Sequence, residues 1–337
     1  MRGRLCIAPN RLAIIVAAVA GLFVPAGAAA HDYWLAQEPS TLAIGDTCSI
    51  RLLVGDRLES ELERPLQSEM TTRYEWLSAG GSVNLLESLP EGTKPVLQRT
   101  VTRAETALLI MDRDFVEIET TYGQFTEFLA HENDTDLLQQ VKDIPKDTKM
   151  RRRYARNLKA LVRVGAGDDT PIHDRKVGQQ LEILLLDDPW SVPHGEMLRA
   201  QVLFEGKPLE RKWVRNFVGG QAGLLAESKA LTDRNGSVGF PVEHSGQWVV
   251  RVAYVRRCQD CEGTVWDTYY ATLSVSLPTL SRARKEHRGR SATASSSYGA
   301  HPAIRRGRQA SAPWSRGCPE LSDPYEPSAV GLRGTTR

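Results

Sequence analysis

The residues of this chain that could do chemistry begin with His31, which stands directly after Ala28-Ala29-Ala30. Ala28 and Ala30 have the small side chains that signal peptidase reads at the third and first positions before its cut. A chain cut there starts His31-Asp32-Tyr33-Trp34-Leu35 and offers a free α-amine and an imidazole on one residue. That nitrogen pair suits a divalent transition-metal ion such as Ni(II), Co(II) or Cu(II). A second ligand group is needed to complete such a site. His131 is the expected partner, because it ends a helix-periodic stretch in the same half of the chain. The other histidines of the body, His173, His194 and His244, read as loop or linker residues, and His287 and His301 fall in a polar tail. Cys258-Gln259-Asp260-Cys261 has the C-x-x-C spacing. No second pair completes a four-thiolate zinc site, and no strand-to-helix thioredoxin context surrounds it. In an oxidising compartment the expectation is a local Cys258–Cys261 disulfide closing a hairpin loop.

Other chemistries lack their residues. The chain has no G-x-x-x-x-G-K-[S/T] loop and no strand-bound G-x-G-x-x-G. It also has no G-x-S-x-G elbow and no H-E-x-x-H signature. The reading is therefore non-catalytic.

The elements that must position His31 start with the leader itself. Arg2, Arg4 and Arg11 precede an apolar run from Leu12 to Val24, and Pro25 and Gly27 interrupt it. That pattern predicts a signal peptide over 1–30 rather than a membrane anchor, and a periplasmic or secreted protein with no span after cleavage. The chain has 337 residues, 41% hydrophobic and 25% charged, which is ordinary globular composition. Its formal charge of +2 hides an uneven distribution: residues 31–278 hold 29 Lys/Arg against 37 Asp/Glu, a net of −8. An acidic exported body argues against nucleic-acid binding.

Period-two alternation dominates from Asp32 onward and predicts a mostly β fold. Strands are expected at Asp32–Leu35, Cys48–Val54, Thr72–Leu77, Ser82–Leu86, Val96–Thr102, Thr106–Met111 and Phe115–Thr120. Between Tyr122 and Val141 the apolar residues recur at three- and four-residue steps, which predicts one or two short helices ended by Pro145. The run from Arg151 to Val164 fits a helix at its start and a strand at its end. Residues 165–178 carry glycines, aspartates and few apolar groups, so they read as a linker between an amino-terminal β domain, 31–164, and a β-sandwich, 179–278. The second half shows about seven short strands over about a hundred residues, with Asp233-Arg234-Asn235-Gly236 as a hairpin turn. After Pro278 apolar periodicity stops, and 279–337 is expected to be a disordered basic tail.

The chain resembles an exported family of unknown function that has been linked to the periplasmic component of cobalt or nickel uptake. The resemblance rests on His31-Asp32-Tyr33-Trp34-Leu35, on Gly45-Asp46 leading into Leu52-Leu53-Val54-Gly55-Asp56, and on Arg153-Tyr154-Ala155-Arg156-Asn157-Leu158. It continues through Gly178 with Leu181-Glu182-Ile183, then Thr232 to Gly236, Gly246-Gln247-Trp248 and Trp266-Asp267-Thr268-Tyr269-Tyr270. It implies two β-sandwich-like parts, the second transthyretin- or carboxypeptidase-regulatory-like, and it carries over His31 alone as a ligand. The first functional reading is a non-catalytic periplasmic protein that captures a transition-metal ion for an uptake transporter. The alternative is an interaction module for an envelope protein or glycan, with Trp34, Trp76, Trp190, Trp213, Trp248 and Trp266 as candidate binding faces, of which Trp248 and Trp266 sit in alternating strands and are expected in the core. A third is a copper oxygenase built on an amino-terminal histidine, which needs a second histidine facing the first.

Overall fold

Alternating side chains set most of the sequence into strands, as the computed structural model shows for residues 31–278 apart from 169, 221, 222 and 260. The expected signal peptide and basic tail lie outside the described residues. In chain order the first strands are β1 (Asp32–Glu38), β2 (Thr47–Asp56), β3 (Glu59–Arg64), β4 (Thr71–Ser78), β5 (Gly81–Asn84), β6 (Leu97–Thr100) and β7 (Glu105–Thr121). Two helices follow, α1 (Tyr122–His131) and α2 (Thr135–Val141), and then β8 (Lys149–Val164). The remaining strands are β9 (Leu181–Leu185), β10 (Met197–Phe204), β11 (Lys207–Pro208), β12 (Trp213–Gly220), β13 (Gly223–Leu231), β14 (Ser237–Pro241), β15 (Gly246–Arg257) and β16 (Thr264–Leu277).

One eight-stranded sheet, in the order β13-β12-β15-β16-β8-β7-β4-β5, organises these elements. Its strands pair antiparallel except β16 and β8, which run parallel. Two smaller sheets pack on its opposite faces. Successive strand residues point to opposite sides, and β7 and β8 use both. Leu109, Met111, Leu158 and Ala160 share a core with Leu35, Ile50 and Leu52 of β1 and β2. Leu108, Ile110 and Leu161 join Ile183, Val202 and Phe240 of β9, β10 and β14. The fold is thus mostly β, with two sandwich packings that share one central sheet.

The expected boundary at 165–178 needs correcting on this point. β8 of the first half pairs with β16 of the second from Thr264↔Arg151 to Val275↔Leu161, and residues 31–278 fall in one compact unit. The segment 165–178 is anchored rather than free: Ile172 is buried in the core, and the Val177 and Gly178 amides donate to Glu182. Two further expectations change. Thr106–Met111 and Phe115–Thr120 are one long strand, β7, with a register shift between Arg113 and Val116. The ambiguous run from Arg151 is strand throughout. Among the described residues no helix is long and apolar enough to cross a membrane.

The expected helices between Tyr122 and Val141 form where a capping box starts α1. The Thr121 hydroxyl accepts from the Gln124 amide, and the Gln124 side chain accepts from the Thr121 amide. Phe125, Phe128 and Leu129 then pack on Trp266 and Tyr270 of β16. Thr121→Ala removes one half of the box and is expected to lower stability by about 1 kcal/mol, read from urea unfolding. An unchanged midpoint would show that aromatic packing alone sets this helix.

Candidate functional site

The amino-terminal strand is held by a buried arginine. Arg251, on β15, is 2% exposed, and its Nε donates to Asp32 Oδ1 at 2.7 Å. Its Nη2 donates to Glu132 Oε1 at 2.6 Å, and its Nη1 donates to the second Glu132 oxygen. Asp32 opens β1, and Glu132 follows α1, where Asn133 takes a positive φ of 57° and turns the chain. One guanidinium therefore ties β1, the end of α1 and the central sheet together. Burial alone would raise the Glu132 carboxyl, but the charge of Arg251 and a contact with His131 bring it down to about 2. Burial dominates at Asp32 and holds its carboxyl above the usual aspartate value, with Arg251 opposing.

His31 sits at the open end of this clasp. Its Nδ1 is buried with no hydrogen-bond partner, and Glu61 Oε2 on β3 lies 3.5 Å away. Its carbonyl accepts from Arg156 Nη2 at 3.4 Å. The imidazole side chain as a whole stays 40% exposed. Glu61 gets there because Arg57 and Leu58 adopt positive φ angles of 50° and 63°, folding β3 back along β2.

His131, the expected second ligand, is placed differently. Its Nδ1 lies 3.3 Å from Glu132 Oε1, and its Nε2 lies 3.5 Å from Arg215 Nη1 on β12. Arg215 also donates to the His131 carbonyl. A guanidinium against Nε2 opposes a cation there. Among the described residues neither histidine belongs to a group of three ligand-type side chains within 4.8 Å of one another.

The group that does meet that distance is Cys258, Cys261 and Asp267. Cys258 and Cys261 are joined as a disulfide in the turn between β15 and β16, with Cα atoms 5.9 Å apart. Asp267 accepts from Arg153 Nε at 2.7 Å. All three donors are thus committed within the protein. His194 is exposed in a turn and His244 in the connection between β14 and β15, while Trp34, Trp76, Trp248 and Trp266 are core residues. Trp190 differs. It is partly exposed under Arg163, 5.2 Å from the ring centre, and it lines two adjoining cavities of about 310 and 400 Å³.

A family model described as a domain of unknown function, DUF4198, matches residues 28–256. The chain belongs to the DUF4198 family. The match begins just before His31 and takes in β1 to nearly the end of β15, so the Arg251 clasp of this DUF4198 protein lies wholly inside it. The family description carries no activity, and the cobalt or nickel link implied by the sequence resemblance is not part of it. No curated protein matches the chain. A solved structure of fibronectin(III)-like modules of Clostridium thermocellum CbhA is similar at 12% identity, covering 75% of this chain and 97% of that one. Its TM-score of 0.16 gives it no weight in an argument about this fold.

Glu61 is the site residue that sequence reasoning missed. Its only sequence signal is the alternation Glu59-Ser60-Glu61-Leu62-Glu63-Arg64, which predicts a strand but not its neighbour across the sheet.

Proposed function

We propose that this DUF4198 protein is a non-catalytic exported protein that holds a transition-metal ion at an amino terminus created by cleavage after Ala30. The donors are the α-amine and Nδ1 of His31 and the carboxylate of Glu61, and the ion is passed to an uptake transporter. The observation that carries this reading is the unpartnered His31 Nδ1 with Glu61 Oε2 at 3.5 Å. Two donors each about 2.1 Å from an ion, at a right angle to one another, stand about 3 Å apart, so a small side-chain shift suffices. Amine and imidazole come from one residue, which lowers the ordering cost of binding. The Asp32–Arg251–Glu132 clasp fixes the strand that carries them.

Calorimetry of the exported protein with NiCl2 or CuCl2 tests the reading. One residue added ahead of His31 turns the amine into an amide and is expected to weaken binding at least about tenfold, about 1.4 kcal/mol. Glu61→Gln should weaken it less, and His131→Ala should leave it unchanged. Equal affinity for the native and extended proteins would discard the metal site. The interaction-module reading, supported by Trp190 between its two cavities, would then be the better one.

A further inference from the structure

Beside His31, the face of the central sheet under β1 carries more buried positive charge than the protein neutralises. Arg113 on β7, Arg156 on β8 and Tyr270 on β16 lie in register as cross-strand neighbours, and Arg152 lies two pleat repeats along β8 on the same face. Arg113, Arg152 and Arg156 are 6%, 4% and 8% exposed. Among the described residues none of the three forms a salt bridge with a carboxylate, whereas Arg251 on the same face takes two. Arg113 Nη1, Arg156 Nε, and Nε and Nη1 of Arg152 are buried without a hydrogen-bond partner.

Arg113 Nη2 donates to Gln67 Oε1 at 2.8 Å and Arg156 Nη2 to the His31 carbonyl at 3.4 Å, and these cations also stand against aromatic rings. The Arg156 guanidinium stands 3.9 Å from the Tyr33 ring centre and 4.5 Å from that of Tyr154, and Arg113 stands 5.8 Å from Tyr33. Cation–π contacts return only part of the cost of stripping water from a guanidinium, and they leave its N–H groups unsatisfied. Burial pulls Arg113 below the ordinary arginine value, and the neighbouring charges of Arg156 and Arg64 pull the same way, against Tyr33. Two guanidinium forks on one side of a partly exposed tyrosine match the oxygens of an anion, which would supply the missing acceptors.

We infer that Arg113 and Arg156, beneath the Tyr33 ring, form a binding site for a small anion, either an organic carboxylate or an inorganic oxyanion. Neither arginine is a metal donor, and the test below uses no metal, so its outcome is read separately from that of the metal reading.

The test is thermal unfolding and calorimetry of the full exported protein with sodium citrate, sodium acetate and sodium phosphate, against sodium chloride at matched ionic strength. A melting midpoint that climbs with one of these anions, and saturable heat from it, are expected. Citrate or acetate acting alone identifies a carboxylate ligand, and phosphate acting alone an inorganic one. Arg156→Gln and Arg113→Gln should each weaken binding at least tenfold. Without anion they should keep or raise the wild-type midpoint, because each removes a buried charge that lacks a carboxylate partner. Wild-type protein that responds to none of the anions beyond chloride would overturn the inference, and that measurement needs no variant to fold. Lowered midpoints in the variants together with unweakened anion binding would also overturn it, leaving arginines that serve packing alone.

Discussion

Glu182→Leu is expected to destabilise the protein by about 3–5 kcal/mol, the range for removing one member of a buried ion pair. Glu182 and Lys159 are each 1% exposed, and Lys159 Nζ donates to Glu182 Oε1 at 2.6 Å and to the Ile183 carbonyl at 3.1 Å. Glu182 also accepts from the amides of Val177 at 2.7 Å and Gly178 at 3.1 Å. Leucine would leave a buried ammonium without its counter-charge and two part-buried amides without their acceptor at once. Burial already holds Lys159 below the ordinary lysine value, with Glu182 opposing, so part of the loss will be relieved by deprotonation. The double variant Lys159→Met with Glu182→Leu removes both charges and should recover much of the loss. Urea unfolding of the two single variants and the double variant measures this. A loss below about 1 kcal/mol for Glu182→Leu would show that water reaches the pair. Because the amides belong to 177–178, the same variant should loosen the segment between β8 and β9, which hydrogen exchange at Val177 would report.

That pair also shows why the expected division at 165–178 did not hold. A run of glycines and aspartates reads as a linker from composition, yet its last residues are held by Glu182, Lys159 and the core. The pairing that unites the halves, β8 with β16, spans about a hundred residues and leaves no local signal. The mostly β class, the helices between Tyr122 and Val141, and most strand positions were legible because alternation and helical periodicity are local properties. β8 was ambiguous for a physical reason. Its Arg152, Arg156 and Lys159 are buried charges, and a reader of sequence places arginines and lysines in solvent, which blurs the period of two. At the proposed site, His31 stands out because it follows the small-residue pattern expected at the end of a leader. Its neighbour Glu61 depends on strand register, and the guanidinium beside His131 Nε2 belongs to Arg215, which arrives from β12 84 positions later. Asp32 and Glu132, next to the two chosen histidines, are the carboxylates that Arg251 joins, and no spacing rule links residues so far apart.

Arg251→Met is the second large effect, again about 3–5 kcal/mol at neutral pH, because it leaves Asp32 and Glu132 as buried carboxylates without a cation. Its pH dependence separates it from an ordinary packing loss. In the native protein Glu132 falls from 4.5 to about 2, so its contribution is present above pH 4.5 and is lost as pH drops toward 2. That fall corresponds to about 3 kcal/mol, while the raised Asp32 works the other way and returns a part on acidification. In Arg251→Met the guanidinium charge that lowers Glu132 is gone, and burial should lift both carboxyls above their ordinary values. A raised carboxyl costs stability above its folded value and returns it as pH falls, so the variant should gain stability from pH 7 to about 5. Glu132→Gln should instead lose the acid limb between pH 4.5 and 2 that the native protein shows. Urea unfolding at a series of pH values distinguishes these outcomes. Parallel pH profiles for native protein and Arg251→Met would reject the clasp as the source of the acid dependence. Since Asp32 directly follows His31, releasing it should also free the start of β1, and Ni(II) affinity should fall in Arg251→Met even though Arg251 supplies no metal donor.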